Sequence, residues 1–158
     1  MKEIELANGE IAIIDEEDWL LVAQYKWRLL EKRYTKYAQA NIKKNGKWRT
    51  MRMHRLIMNC PRNIQIDHID HDGLNNRKSN LRFATNQQNN FNRKGYDTSS
   101  KYKGVTWRTK LKKWEAQIQT KGKSKYLGYY ANENDAARAY NKMAVQVFGE
   151  YAYVNAIE

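Results

Sequence analysis

The chain opens on a short alternation of polar and apolar positions. Glu3-Ile4-Glu5-Leu6 sets an apolar residue at every second place, Asn8-Gly9 supplies a type I′ turn signal, and Ile11, Ile13 and Ile14 bring the chain back. Residues 1–20 therefore predict a β-hairpin running into a short helix or tight turn at 18–22, with Tyr25 and Trp27 expected in the core. A second hairpin is predicted over residues 37–42 and 48–53, closed around Asn45-Gly46. Residues 53–58 predict a short helix that stops ahead of Cys60-Pro61, because the residue before a proline avoids the helical region.

The middle of the chain reads as strand, loop, strand, helix. Residues 64–68 and 81–83 are the two strands, and the stretch between them is polar. Thr85 and Gln88 stand at the spacing of a capping box, which predicts a helix from about 86 to 93 with Asn89 and Arg93 on one face. Polar, turn-rich residues up to 101 mark a linker. Beyond it, residues 104–107, 113–118 and 124–130 alternate as three strands, and Asn132 caps a helix. Ala136, Ala137, Ala139, Tyr140, Met143, Ala144, Val147 and Phe148 form its apolar stripe, and Gly149 ends it. The expected fold class is α+β. Residues 1–60 form an N-terminal β-rich region of hairpins, 61–95 the strand-loop-strand-helix unit, 96–101 the linker, and 102–158 a three-stranded antiparallel sheet packed on one helix.

Composition narrows the setting. Hydrophobic residues make up 41% of the 158 and aromatic ones 12%, enough for small cores and too much for wholesale disorder. The lone Cys60 excludes an intrachain disulfide and a multi-cysteine zinc site, and three His exclude a zinc finger, which fits a reducing compartment. No apolar run reaches the roughly 20 residues that span a bilayer, and the first ten residues lack the pattern of a signal peptide. The expectation is a soluble cytoplasmic protein, in a phage or bacterial host cytosol, with no membrane partner. Net charge is +12, yet Glu3, Glu5, Glu10, Asp15, Glu16, Glu17 and Asp18 crowd the first 18 residues, so the remainder carries the whole basic surplus. A polyanion is its natural counterpart, nucleic acid before a ribosomal or membrane surface.

Candidate chemistry is concentrated at residues 66–93. Asp67-His68 is followed by Asn80 twelve residues on and by Asn89 nine further. One base, one carboxylate and one amide oxygen at such spacing can fold around a single hard metal ion. Histidine suits proton removal because its ordinary pKa lies nearest working pH, and oxygen donors favour Mg²⁺, with Mn²⁺ as the alternative, over zinc. His71 is a rival base three residues away, and His54 fits a structural place better than catalysis.

Asp67-His68, the loop Gly73-Leu74-Asn75-Asn76-Arg77, Ser79-Asn80-Leu81-Arg82 and Asn89 together resemble the HNH nucleases, whose fold is the ββα-metal unit. The resemblance implies His68 as general base, Asn80 as the residue that holds the loop and orients the base, and Asp67 with Asn89 as ligands of Mg²⁺. Arg55, Arg77 and Arg82 are available to clamp phosphate, Arg82 first among them. The first 60 residues, through Trp27, Tyr37-Ala38 and Met53-His54-Arg55, resemble the part that often precedes this nuclease in phage and bacterial mobile-element proteins. The hairpin bases Lys43, Lys44, Lys47, Arg49 and Arg52 fit either backbone tracking or a solvated face.

Residues 102–155 resemble the APETALA-two/ethylene-response-factor type of DNA-binding domain. The matches are Tyr102-Lys103-Gly104-Val105, Lys113-Trp114-Glu115-Ala116-Gln117-Ile118, Leu127-Gly128-Tyr129-Tyr130 and Asp135-Ala136-Ala137-Arg138-Ala139-Tyr140. The resemblance implies a sheet that enters the major groove and makes Lys103, Trp107, Arg108, Lys110, Lys113, Trp114 and Lys125 the DNA-contact candidates. Of the two Trp, Trp114 is the one expected to turn to the core. Thr106, Gln117 and Gln119 replace basic residues of the plant members, so their GC-rich preference does not transfer. Taken together, the sequence reads as a Mg²⁺-dependent, site-directed DNA endonuclease of homing type acting on double-stranded DNA, as monomer or homodimer. The rivals are a non-catalytic DNA-binding regulator retaining an HNH scaffold, and an RNA-binding protein.

Overall fold

The computed structural model describes residues 1–32, 35–44, 46–95, 99–120 and 122–157, with Lys44 described through its backbone. Asn45 of the second predicted turn and residues 96–98 of the predicted linker lie outside the described residues. The chain divides into two units, Met1–Asn89 and Asn90–Glu158.

In the first unit β1 (Lys2–Glu5) pairs antiparallel with β2 (Ile11–Ile14). Gly9 N–H donates to the Leu6 carbonyl, Leu6 N–H donates to that of Glu10, and only Gly9 of this loop has positive φ, at 85°. The turn is therefore not the expected type I′. Three residues, Ala7, Asn8 and Gly9, close the loop, and a loop of that length favours a type I turn ending on a left-handed glycine. After the helical turn α1 (Trp19–Val22) comes a strand the sequence pattern did not predict, β3 (Arg28–Lys32). It flanks the long central strand β4 (Thr35–Lys44), with β5 (Lys47–Arg52) on the other side. Then follow α2 (Met53–Ile57), the hairpin of β6 (Gln65–His68) and β7 (Leu81–Ala84), and α3 (Asn86–Phe91). The capping box before α3 closes both ways: Thr85 N–H donates to Gln88 Oε1 at 2.8 Å and Gln88 N–H to Thr85 Oγ1 at 3.2 Å.

One core joins these elements. Leu6, Ile14, Val22, Trp27, Ala38, Ala40, Met53, Ile57, Ile66, Leu74 and Leu81 are buried together, so residues from the first 60 complete the core on which β6 and β7 sit. β2 also reaches the β6–β7 loop through its backbone. Ile13 N–H donates to the Leu74 carbonyl at 2.8 Å, and Asn76 N–H to that of Ile13 at 2.7 Å. The acidic N-terminal residues have partners in the same place. Asp15 accepts from Arg77 Nε (3.2 Å) and Lys78 N–H (2.8 Å), and the Lys78 ammonium meets Glu17 (2.6 Å) and Asp18 (3.0 Å).

The second unit is a sheet in the order β10 (Lys123–Tyr130), β9 (Lys113–Thr120), β8 (Val105–Arg108), covered by α4 (Glu133–Phe148). Asn132 caps α4 by accepting from Asn134 N–H at 2.7 Å, and Gly149 at φ 57° ends it. Val105, Ala116 and Ile118 from the sheet meet Ala136, Ala137, Tyr140 and Ala144 from the helix, with Met143 and Phe148 packed beside them, while Val147 of the predicted stripe is exposed. The fold is α+β: small antiparallel sheets, short helices and a C-terminal three-stranded sheet on one helix. Among the described residues no helix is long and apolar enough to cross a membrane.

Candidate active site

The register of the β6–β7 hairpin sorts the candidate residues by face. Asp67 lies opposite Arg82 and His68 opposite Leu81, so Asp67 and His68 take opposite pleats. On the first, Arg82 donates to Asp67 Oδ2 from Nε at 2.9 Å and from Nη2 at 2.6 Å, and both side chains are largely buried. Gln65, two residues before Asp67, shares that pleat, and its Oε1 accepts from Asn89 Nδ2 at 2.7 Å. Asp67, Arg82 and Asn89 are thus gathered on one side of the hairpin.

His68 lies on the other pleat, 6% exposed, beside residues from two other elements. The ring of Tyr37 on β4 is 5.7 Å from its ring, and the ring of His54 on α2 is 5.0 Å away, nearly perpendicular. Burial holds the His68 pKa below its ordinary value, opposed by the Asn76 side chain and by the carboxylates of Asp70, Asp67 and Asp72. His54 is more strongly affected. Burial, with the nearby His68, Arg52 and Arg55, lowers its pKa to about 2, so it is a neutral imidazole.

Asn80 is buried where the loop returns to the strand. Its Oδ1 accepts from Asp70 N–H at 3.0 Å, and its Nδ2 donates to Asp70 Oδ1 at 2.8 Å and to the Asn75 carbonyl at 2.9 Å. It clamps both arms of the loop that follows His68. His71 stands exposed in that loop with φ 69°. Two of the proposed phosphate clamps are otherwise engaged: Arg55 donates to the carbonyls of Ile64, Cys60 and Pro61, and Arg77 is held by Asp15.

In the second unit the DNA-contact candidates also separate by face. Trp107 pairs with Trp114, rings 5.0 Å apart, on the pleat of Val105 and Ala116 that faces α4. Lys125 pairs with Ile118 on that pleat, and its ammonium lies 3.9 Å from the Met143 sulfur of α4. Lys103 turns inward and donates to the carbonyls of Phe91 (2.7 Å) and Arg93 (2.6 Å). Burial, then Arg93, lowers its pKa to about 8. Trp107, Trp114 and Lys125 thus lie on the α4 side of the sheet, and Lys103 is tied to backbone carbonyls. Arg108 and Lys113 remain on the open face, and Lys110 stands exposed in the β8–β9 turn. Arg108 forms a bidentate pair with Glu115, at 2.8 and 2.6 Å. Tyr126 and Tyr129, exposed with rings 5.1 Å apart, share the open face and were missed. Counting alternate positions out from Ala116 and Ile118 is the signal that would have found them.

Residues 59–91 match the family model described as HNH endonuclease. Over 157 residues, 96% of this chain and 78% of the other, the protein is 36% identical to an uncharacterized HNH endonuclease of Acanthamoeba polyphaga mimivirus. The chain belongs to the HNH endonuclease family. Over 57 residues, 36% of its length, it is also 42% identical to an AP2-like ethylene-responsive transcription factor of Arabidopsis thaliana. An APETALA2-like protein of Oryza sativa subsp. indica is 40% identical over the same length. The aligned parts cover 12% and 13% of those two proteins, so the similarity is partial.

HNH endonucleases generally depend on a divalent metal, and the donor set here suits a hard one. Among the described residues no three His, Cys, Asp or Glu cluster as a ready ligand set. The Asp67 carboxylate and the Asn89 amide oxygen, on one side of the hairpin, fit an ion such as Mg²⁺ that keeps several waters. Asn89 bonds Gln65 through its amide nitrogen, so its amide oxygen is the atom that could be offered to a metal. Arg82 is seated on Asp67, giving a carboxylate that is 5% exposed its counter-charge.

Proposed function

We propose that this HNH endonuclease is a site-directed enzyme of homing type. It hydrolyses DNA phosphodiester bonds with one divalent metal ion and His68 as general base, its DNA positioned by the open face of the C-terminal sheet. The observation that carries the reading is the setting of His68: a buried imidazole with a lowered pKa, held by ring contacts with Tyr37 and His54 beside a loop clamped by Asn80. A neutral ring at working pH is the form that takes a proton from water as the water oxygen attacks phosphorus. Asp67 and Asn89 would hold Mg²⁺ or Mn²⁺, which would supply charge stabilisation for the phosphate and the leaving oxygen. Arg82 orients the Asp67 carboxylate and acts as a positioning residue. Asn80 keeps the loop from drifting away from His68.

In this proposal residues 61–95 carry the chemistry, the first 60 complete their core, and residues 102–158 select DNA after the linker. Arg108, Lys110 and Lys113 supply phosphate contacts, while Gln117, Gln119, Tyr126 and Tyr129 present readers on the open face. The partial similarity to plant transcription factors supports that assignment. A cytoplasmic setting belongs to the same reading. One site per chain cuts one strand per encounter, so a monomer nicks and a homodimer makes a double-strand break.

Supercoiled plasmid incubated with Mg²⁺ or with EDTA tests the assignment. Cleavage is expected to require metal, to fall by about 10²-fold or more in His68→Ala, and to survive in His71→Ala. Equal activity in His68→Ala rejects the base assignment, and binding without cleavage of any DNA tried supports the non-catalytic regulator.

A further inference from the structure

The sheet β3–β4–β5 has one face in the core and one face open. Strand pairing sets Leu29 with Ala38 and Ala40 with Met51 on the core side. The opposite pleat carries Arg28, Gln39 and Arg52 abreast, then Asn41 beside Thr50, then Lys43 beside Trp48 toward the hairpin tip. At its inner end stands Tyr37, whose ring touches those of His68 and His54 and lies 5.3 Å from the Arg52 guanidinium. We propose that this open face is a second DNA-binding surface, which seats the duplex flanking the scissile phosphate and leads it to His68. The inference rests on the endonuclease reading above and names a further part of its substrate site.

Charge, shape and continuity each point to duplex DNA. Charged residues on this pleat are all basic among the described residues, and Glu31, the acid of these strands, pairs with Lys36 on the other pleat. A solvated face accounts for Lys43, but not for the neighbouring Trp48, an aromatic side chain 70% exposed. Asn41 Oδ1 accepts from Arg28 Nη2 at 3.0 Å and from Thr50 Oγ1 at 3.3 Å, which ties three polar side chains across three strands into one fixed row. A two-stranded antiparallel ribbon is the shape a major groove admits. From Tyr37 to Lys43 the strand advances by about 20 Å at 3.3 Å per residue, the length of roughly six base pairs. Lys47 and Arg49, grouped with Lys43 and Arg52 by the sequence, fall on the opposite pleat and have no part in this surface.

The test uses the full chain and two measurements. The first is binding to a 40-base-pair duplex of arbitrary sequence in EDTA over a KCl series. The second is a hydroxyl-radical footprint on a duplex spanning the cut that the wild type makes. Arg28→Gln combined with Lys43→Gln is expected to flatten the salt slope by about 2 and to shorten the footprint on one side of the cut by roughly six base pairs. Trp48→Ala is expected to weaken binding roughly tenfold. Arg49→Gln, on the other pleat, keeps the wild-type slope and footprint. Wild-type behaviour in both the double variant and Trp48→Ala overturns the proposal, as does a slope that Arg49→Gln flattens equally. If cutting depends on His68 while the face variants change nothing, this inference fails alone. If the face variants weaken binding but no DNA is cut, the endonuclease reading fails alone.

Discussion

His54 shows how a single buried side chain couples the candidate active site to stability. Its ring is packed against Tyr37 and His68, and the charges facing it are Arg52 and Arg55, so protonation inside the fold meets burial and repulsion together. The folded pKa of about 2 lies far below the unfolded value of 6.5. The unfolded chain therefore binds the proton first as pH falls, and stability present above about pH 6.5 is lost below it. Between pH 7 and pH 5 this group alone costs about 2 kcal/mol. Urea unfolding at the two pH values is expected to show that loss reduced by about this amount in His54→Gln. An unchanged pH dependence would mean that His54 is already charged or exposed.

At the scale of elements, strand register decides which basic residues can meet DNA. Lys103 and Lys110 look alike in sequence, but one ammonium is bonded to two carbonyls and the other stands in an exposed turn. Lys103→Ala is expected to destabilise the C-terminal unit by about 2 kcal/mol and to leave the salt slope of DNA binding unchanged. Lys110→Ala is expected to change stability by less than about 0.5 kcal/mol and to lower that slope by about 1. Chemical denaturation and binding across a salt series check both. The reverse pattern would return Lys103 to the DNA face. Gly104, next to it, is one position where the chain has no choice of residue. Its φ is 78°, and a Cβ there would run into the Tyr140 ring and the Gln117 carbonyl.

At the scale of the whole molecule, the first unit has its own core from Ile4 to Leu81, and the acids at its N-terminus are bound to Arg77 and Lys78 of the nuclease loop. In the proposed division of labour, a chain ending near residue 95 keeps that core and its hairpin. Such a truncation is expected to retain weak metal-dependent cutting and to lose site preference. Mapping of cut positions on plasmid DNA reads this out, and unchanged specificity would refute the division.

Local signals were strong enough to be read without a structure. Period-two alternation marked the two hairpins and the three C-terminal strands, the Thr85–Gln88 spacing marked α3, and Asn132 and Gly149 bounded α4. The spacing of Asp67, His68, Asn80 and Asn89 singles them out as candidates because the strand-loop-strand-helix unit that carries them spans fewer than 30 residues. β3 went unread because Leu29 and Leu30 are adjacent and show no alternation; the pairing with β4 makes them a strand. Tertiary structure alone decided the company each side chain keeps. Tyr37 and His54 meet His68 from remote segments, Asp15 clasps a loop more than 60 residues away, and Arg82 is drawn onto Asp67 by the cost of burying that carboxylate. Alternation along a strand names two faces, but which one is covered depends on what packs there. For that reason Trp107, Trp114 and Lys125 lie toward α4, while Tyr126 and Tyr129 lie on the open side.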